Sequence, residues 1–278
     1  MNNATRSMIL EPAVLAENLT RDLDSNKIRI VDLCKSDVYR QAHIPGAVHL
    51  EYHKILRQEK PALALLPTEQ DLSEVLSSLG ISPQTHVIAY DDEGGGKACR
   101  LLWTLSVIGH HHFSLLNGGL HAWVNEGHPV DNKPVIISPA NYNVSFAMSA
   151  GALADKDYVL NHLENDNISL LDSRSPQEFN GKTPRSEKGG HIPHAVNMDW
   201  TLAMDPKNNF RLKQKDELEP MLDKLGINRD KEVIVYCHSH HRSAHTFIML
   251  KSLGFQNVKA YPGSWSEWGN LPDTPVEM

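Results

Sequence analysis

What constrains the fold most is that the chain repeats itself. Ile28-Arg-Ile-Val-Asp-Leu33 reads as a short apolar strand, followed by a brief helical stretch from Asp37 and then by His43-Ile-Pro-Gly-Ala-Val48. Ile168-Ser-Leu-Leu-Asp-Ser-Arg174 repeats the pattern, with Glu178 in the helical stretch and His191-Ile-Pro-His-Ala-Val196 after it. The second copy carries an insertion over 182–190. His86-Val-Ile-Ala-Tyr-Asp91 then parallels Glu232-Val-Ile-Val-Tyr-Cys237. Ala98 and Ala244 begin apolar helices that end at Gly109 and Gly254, and Asn117-Gly118 before Trp123 parallels Pro262-Gly263 before Trp268. These landmarks keep one order at offsets of about 140 to 148 residues. Solenoid repeats run about 20–50 residues, so a period this long marks a duplicated domain.

Each half alternates β-branched runs with helical spacing. That pattern predicts an α/β fold: in each half a mostly parallel sheet, right-handed crossovers, and helices on both faces. Leu72, Val75, Leu76 and Leu79 share one helical face closed by Gly80, and Leu218, Met221, Leu222 and Leu225 share another closed by Gly226. The expected domains are 1–138 and 151–278, with a linker at about 139–150 in a stretch that holds Pro139 and follows Pro134. A length of 278 residues suits two ordinary domains. A net charge of −7 argues against a nucleic-acid partner, which needs a basic face. No apolar run approaches the roughly 18 residues of a membrane helix, and the start, Met1 to Ile9, lacks the core of a secretory signal. Cys34, Cys99 and Cys237 are odd in number and widely spaced, so they form neither a disulfide framework nor a metal pair. A reducing, cytoplasmic setting and a monomer are expected.

The chemistry-bearing stretch is Val233-Ile-Val-Tyr-Cys-His-Ser-His-His-Arg-Ser-Ala-His245. It reads as a buried parallel strand, a loop over 237–242, and a helix whose apolar positions include Ala244, Phe247 and Ile248. A cysteine at the end of such a strand lies where open α/β sheets place their ligands. It also faces a helix N-terminus, where unpaired N–H groups and the dipole favour negative charge. That setting should lower the thiol pKa. The bland alternative is an inert core cysteine; the strand–loop–helix junction and nearby Arg242 weigh against it. Cys34 and Cys99 have no such setting and read as core.

The two halves differ at this loop. Asp91 stands where the cysteine would, followed by Asp92, Glu93, Gly94, Gly95, Gly96 and Lys97. A carboxylate cannot perform a thiolate's soft nucleophilic chemistry, and three acids would repel an anionic substrate. The first half is therefore expected to be a non-catalytic scaffold. Gly94-Gly-Gly-Lys97 does not make a phosphate loop, because its spacing is wrong and Ala98 follows the lysine.

With these residues in view, the chain resembles a tandem-domain rhodanese, a thiosulfate sulfurtransferase, of a bacterial branch. The resemblance rests on Asp172-Ser-Arg174, His191-Ile-Pro-x-Ala-Val196, Val-Tyr-Cys237-His-Ser-His-His-Arg242-Ser and Tyr261-Pro-Gly-x-Trp265, with degenerate copies in the first half. It implies that Cys237 takes the outer sulfur of a donor, becomes a persulfide, and passes the sulfur to cyanide or a thiol. No cofactor and no metal are implied. The physics agrees, since thiosulfate is a dianion whose terminal sulfur is soft. Main-chain N–H groups from His238, Ser239, His240, His241, Arg242 and Ser243 would form a nest for the anion and the persulfide. Arg242 would dock the donor's oxyanion or depress the thiol. Arg174 would either brace the site wall through Glu178, one turn later, or lie near the donor. Asp172 would orient the loop, and Arg185 and Lys188 would form either a cationic entrance or a solvated loop.

Three other readings stay open. Cysteine phosphatases on a related architecture use C-x5-R, a longer ring than the C-x4-R here. Donors of the 3-mercaptopyruvate class go with a small loop and an arginine near the Glu178 position, whereas this loop is bulky and cationic. A persulfide carrier that serves a partner protein would share the chemistry of Cys237. The histidines at 238, 240, 241 and 245 suggest metal at first sight, but no partner ligand lies at ligand spacing. They are expected to form an electropositive rim that protonates near pH 6.5. Trp200, Trp265 and Trp268 read mainly as packing aromatics, with Trp200 or Trp265 as candidate pocket walls.

Overall fold

The structure, a computed structural model, describes residues 7–24, 27–146 and 151–278. The first six residues, part of the stretch read for a secretory signal, and 147–150 of the expected linker lie outside the described residues.

In chain order the first half runs β1 (Ile9–Leu10), α1 (Pro12–Asp24), β2 (Ile28–Asp32), α2 (Ser36–Gln41), β3 (Val48–His49), β4 (Arg57–Glu59), β5 (Ala62–Leu65), α3 (Glu69–Ser78), β6 (His86–Tyr90), α4 (Gly96–Val107), β7 (Phe113–Leu116) and α5 (Gly119–Asn125). The second half runs α6 (Lys156–Asn161), β8 (Ile168–Asp172), α7 (Pro176–Phe179), β9 (Val196–Asn197), β10 (Met204–Asp205), β11 (Arg211–Leu212), α8 (Lys215–Lys224), β12 (Glu232–Tyr236), α9 (Arg242–Ser252), β13 (Val258–Ala260) and α10 (Ser264–Trp268).

The chain divides into two compact units. One holds Met1–Leu56, Pro67–Met148 and Asp205–Leu212; the other holds Arg57–Leu66, Ser149–Met204 and Lys213–Met278. Each unit thus includes a short segment from the opposite half of the sequence. The stretch read as a linker is held as far as 146. Ala140 donates its N–H to Ser77 O at 3.0 Å, and Val144 donates to Ser73 Oγ at 2.9 Å.

The first unit has a five-stranded sheet in the order β1-β7-β6-β2-β3, parallel throughout. Side chains alternate across a strand, so β2 sends Ile28 and Ile30 to one face, where Leu15 and Leu19 of α1 and Leu120 and Trp123 of α5 complete a core. The second unit repeats the order as β13-β12-β8-β9, also parallel. Its counterpart of β1 is reduced to one parallel bridge, Leu153 with Ala260. On one face Leu170, Ile234 and Tyr236 pack with Val159, Trp265 and Trp268. On the other, α9 lies over β12 and β13. Its end at Ser252 is closed by Gly254, which takes a left-handed φ of 90°.

A tyrosine ties the same two pieces together in both units. Tyr90 OH donates to Asp32 and accepts from the N–H of Ile44 at 3.1 Å. Tyr236 OH accepts from the N–H of Ile192 at 3.2 Å. The His-Ile-Pro turn is therefore fixed to the strand that ends at the candidate site. Removing a buried hydroxyl strands the partner N–H. Tyr236→Phe is expected to lower stability by about 1–3 kcal/mol; an unchanged denaturation midpoint would refute this role.

Candidate active site

The sulfur of Cys237 sits just past the end of β12. Val233, Ile234 and Val235 are fully buried, as β-branched residues in a parallel strand should be. The loop is held by α10. Trp265 N–H donates to Cys237 O at 3.0 Å, and Ser266 N–H donates to His238 O at 2.9 Å. Ser264, at a left-handed φ of 52°, accepts from Cys237 N–H at 3.3 Å and donates to Tyr261 O at 2.8 Å. With its carbonyls taken from that side, the loop turns amide hydrogens towards its own interior.

Cys237 is 1% exposed. Burial pushes its thiol up, but the charge of Arg242, the hydroxyl and N–H of Ser243 and the N–H of Ser239 together hold it below the ordinary value. This separates it from the other two cysteines, whose thiols burial pushes up. All three are unpaired thiols.

Arg242 opens α9 and is clamped by Glu178, with Nη1 at 2.6 Å and Nη2 at 2.9 Å from its two carboxylate oxygens. Burial acts to raise the Glu178 carboxyl, yet Arg242 and the Ser175 donors hold it down at about 2. A capping box at Ser175 fixes Glu178 at the start of α7. The expected pairing of Glu178 with Arg174 is not formed. Arg174, 2% exposed, instead donates through Nε and Nη2 to Asp172 and through Nη2 to Gly190 O at 2.8 Å. Its guanidinium lies 4.4 Å from the ring centre of Trp265. Asp172 accordingly orients Arg174 by accepting from both its main-chain N–H and its side chain.

The insertion places its two cations differently. Lys188 Nζ is spent on Thr274 O at 2.7 Å and Pro272 O at 3.1 Å. Arg185 is 61% exposed and stands 3.9 Å from Glu178.

His238 and His245 do not join the expected protonated rim. Burial, then the charges of Arg185 and Arg242, lower His238 to about 4. Burial lowers His245 to about 4 as well. Both are neutral at pH 7. His240 is fully buried, with Nδ1 2.8 Å from Ser243 Oγ, and His241 packs at the edge of Trp200. Among the described residues no three His, Cys, Asp or Glu side chains converge as metal ligands. Trp200 also meets His245, while Trp265 and Trp268 are buried in packing.

The matching loop of the first unit is closed from inside. Asp91 Oδ1 accepts the N–H groups of Glu93 and Gly95 at 3.0 and 2.8 Å. Oδ2 accepts those of Lys97 and Ala98 at 2.9 and 3.0 Å. The carboxylate fills the nest that its own loop makes, so repulsion by three acids is not what closes this loop. Lys97 is paired with Glu93 at 3.0 Å.

Beyond the loop main chain, the sequence suggested a cationic rim for His240 and nothing for the side chains of Ser243 and Ser264. The Glu178–Arg242 pair was legible only as a short helix carrying an acid.

Two parallel α/β units, one with a thiol and the other with a carboxylate at the same place in its loop, define a tandem protein built on one duplicated design. The Rhodanese-like domain model matches residues 15–126 and 155–271, and the chain belongs to this family. It is similar to "Thiosulfate sulfurtransferase" of Azotobacter vinelandii, 40% identical over 99% of this chain and 98% of the relative. It is also similar to "Sulfur carrier protein TtuD" of Thermus thermophilus, 32% identical over 96% of each. A solved 3-mercaptopyruvate sulfotransferase, SseA from Escherichia coli, superposes with a TM-score of 0.81 at 28% identity, over 93% of this chain and 99% of that one. Among the described residues no helix is long and apolar enough to cross a membrane.

The Glu178 carboxyl is held below its unfolded value, so its contribution to stability is present above about pH 4.5 and is lost as pH falls towards about 2. Glu178→Gln should therefore cost about 2 kcal/mol near neutral pH and nothing at the acid end. Denaturant titrations across that window check this; an equal loss at both ends would contradict the pairing.

Proposed function

We propose that this protein is a thiosulfate sulfurtransferase that works by double displacement at Cys237. The observation that carries the proposal is the buried thiol held below its ordinary pKa by one arginine and converging loop donors. At an unshifted pKa only a few per cent of a thiol is ionised at pH 7. The lowered pKa of Cys237 raises that fraction.

In the first step the Cys237 thiolate attacks the outer sulfur of thiosulfate. A new S–S bond forms to Cys237, the old one breaks, and its electron pair leaves with sulfite. In the second step cyanide or a thiol attacks the outer persulfide sulfur, and Cys237 departs as a thiolate. Main-chain N–H groups between His238 and Ser243 hold the charge on sulfur in both states. Arg242 supplies the fixed positive charge, oriented by Glu178. Arg185, exposed and 3.9 Å from Glu178, is the cation assigned to meet the donor's sulfonate end. Arg174 is assigned to bracing the wall, because Asp172, Gly190 and Trp265 already occupy its guanidinium.

Thiosulfate is favoured over 3-mercaptopyruvate as donor. The wall position that would meet a donor carboxylate holds Glu178, and the loop side chains are bulky. The name of the Thermus thermophilus relative supports a second reading, a persulfide carrier that saturates only with its partner protein. The unpaired cysteines support a reducing, cytoplasmic setting, and a monomer remains the proposed state.

Intact-mass spectrometry after thiosulfate treatment should show the gain of one sulfur atom, lost again on adding cyanide. Cys237→Ser should abolish both the mass gain and turnover. Full turnover by that variant would end the proposal. Parallel ping-pong lines with small acceptors would favour the enzyme over the carrier.

A further inference from the structure

We infer that His240 is a positioning residue that acts on the Cys237 sulfur through the hydroxyl of Ser243. The inference rests on the reading of Cys237 as the nucleophile, and it concerns side chains where that reading used only the main chain.

Three observations meet here. His240 takes a left-handed φ of 49°, a region that non-glycine residues rarely adopt. Its side chain is wholly buried inside the loop, and Nδ1 lies 2.8 Å from Ser243 Oγ. The Ser243 hydroxyl is also one of the groups that lower the Cys237 thiol. A serine hydroxyl has one hydrogen to give. If that hydrogen points at the thiolate, Oγ can only accept from His240, and Nδ1 must carry the imidazole hydrogen. The sequence Nδ1–H to Oγ, O–H to sulfur is then a one-way chain of donors ending on the negative charge. Each bond polarises the next. A glycine would meet the backbone demand at 240 without strain; the strain of a histidine there is accounted for by what its ring does.

The chain serves both half-reactions. Cys237 needs a stabilised thiolate when it attacks the donor, and again when it leaves the persulfide with its electron pair. No proton has to cross the chain in either step. The charged and titratable groups around the loop are Arg242 with Glu178, Arg174 with Asp172, Arg185 and the neutral His238. None of these sits between His240 and Ser243.

The test reads the thiolate of Cys237 from the pH dependence of its alkylation by iodoacetamide. Ser243→Ala should raise the midpoint by about one pH unit. His240→Gly, which relieves the backbone, should raise it by a smaller amount in the same direction. The double variant should match Ser243→Ala alone, because the histidine acts only through the serine. His240→Asn, whose amide can donate and whose backbone tolerates this φ, should restore most of the wild-type midpoint. A wild-type midpoint in His240→Gly, or additive shifts in the double variant, would overturn the inference. Should His240→Gly not fold, nitrogen-15 spectra of histidine-labelled wild-type protein decide the matter, since the ring must carry its hydrogen on Nδ1. Sulfur uptake by wild-type Cys237 from thiosulfate, followed by mass, tests the nucleophile separately.

Discussion

A buried sulfur whose thiol is held below its ordinary pKa is the feature on which the rest of the second unit's loop depends. Burial alone would keep the Cys237 thiol protonated. The second unit counters it with amide hydrogens, the Ser243 hydroxyl and a guanidinium, all delivered by the loop after β12 and the first turn of α9. Such donors are fixed by the fold before any substrate arrives, so they do not have to reorganise when charge moves on or off the sulfur. The surroundings serve to keep them in place. Helix α10 takes the loop carbonyls, and Asp172 and Arg174 brace the adjoining wall.

The guanidinium illustrates how this is balanced. Arg242 is not a free cation waiting for a substrate; Glu178 holds it through two hydrogen bonds. The pair is close to neutral as seen from a distance, yet the charge of Arg242 is the largest of the influences that lower the Cys237 thiol. Orientation rather than net charge does the work, in keeping with a chain whose overall charge is −7. The neutral imidazoles of His238 and His245 fit the same picture. Further positive charge packed into this small volume would have to be desolvated beside Arg242.

The duplication gives an internal comparison. One loop design, strand to nest to helix, is satisfied in two ways. In the first unit the Asp91 carboxylate accepts four main-chain N–H groups and closes the nest permanently. In the second unit the shorter side chain of Cys237 has a single atom beyond Cβ and leaves more of the loop interior unfilled. A carboxylate oxygen and a persulfide's outer sulfur stand the same number of bonds from the backbone. In the first unit the Asp91 carboxylate thus occupies the loop interior that the proposed persulfide would use in the second.

Periodicity and order in the sequence determined the duplicated α/β architecture, the parallel strands and the position of Cys237 at a strand end. These are properties of local pattern: β-branched runs make strands, and a residue's place in a repeat does not depend on what packs nearby. The sequence also exposed the difference between Asp91 and Cys237. It could not show the pairing of Glu178 with Arg242, 64 positions apart, because adjacency along a helix suggested Arg174 instead. It misjudged His238 and His245 for a related reason, since protonation depends on burial and on neighbouring charge, and composition carries neither. Nor could it reveal that Arg57–Leu66 and Asp205–Leu212 belong to the opposite units. Which donors converge on a buried atom is a fact about three-dimensional distance, and only the tertiary structure decides it.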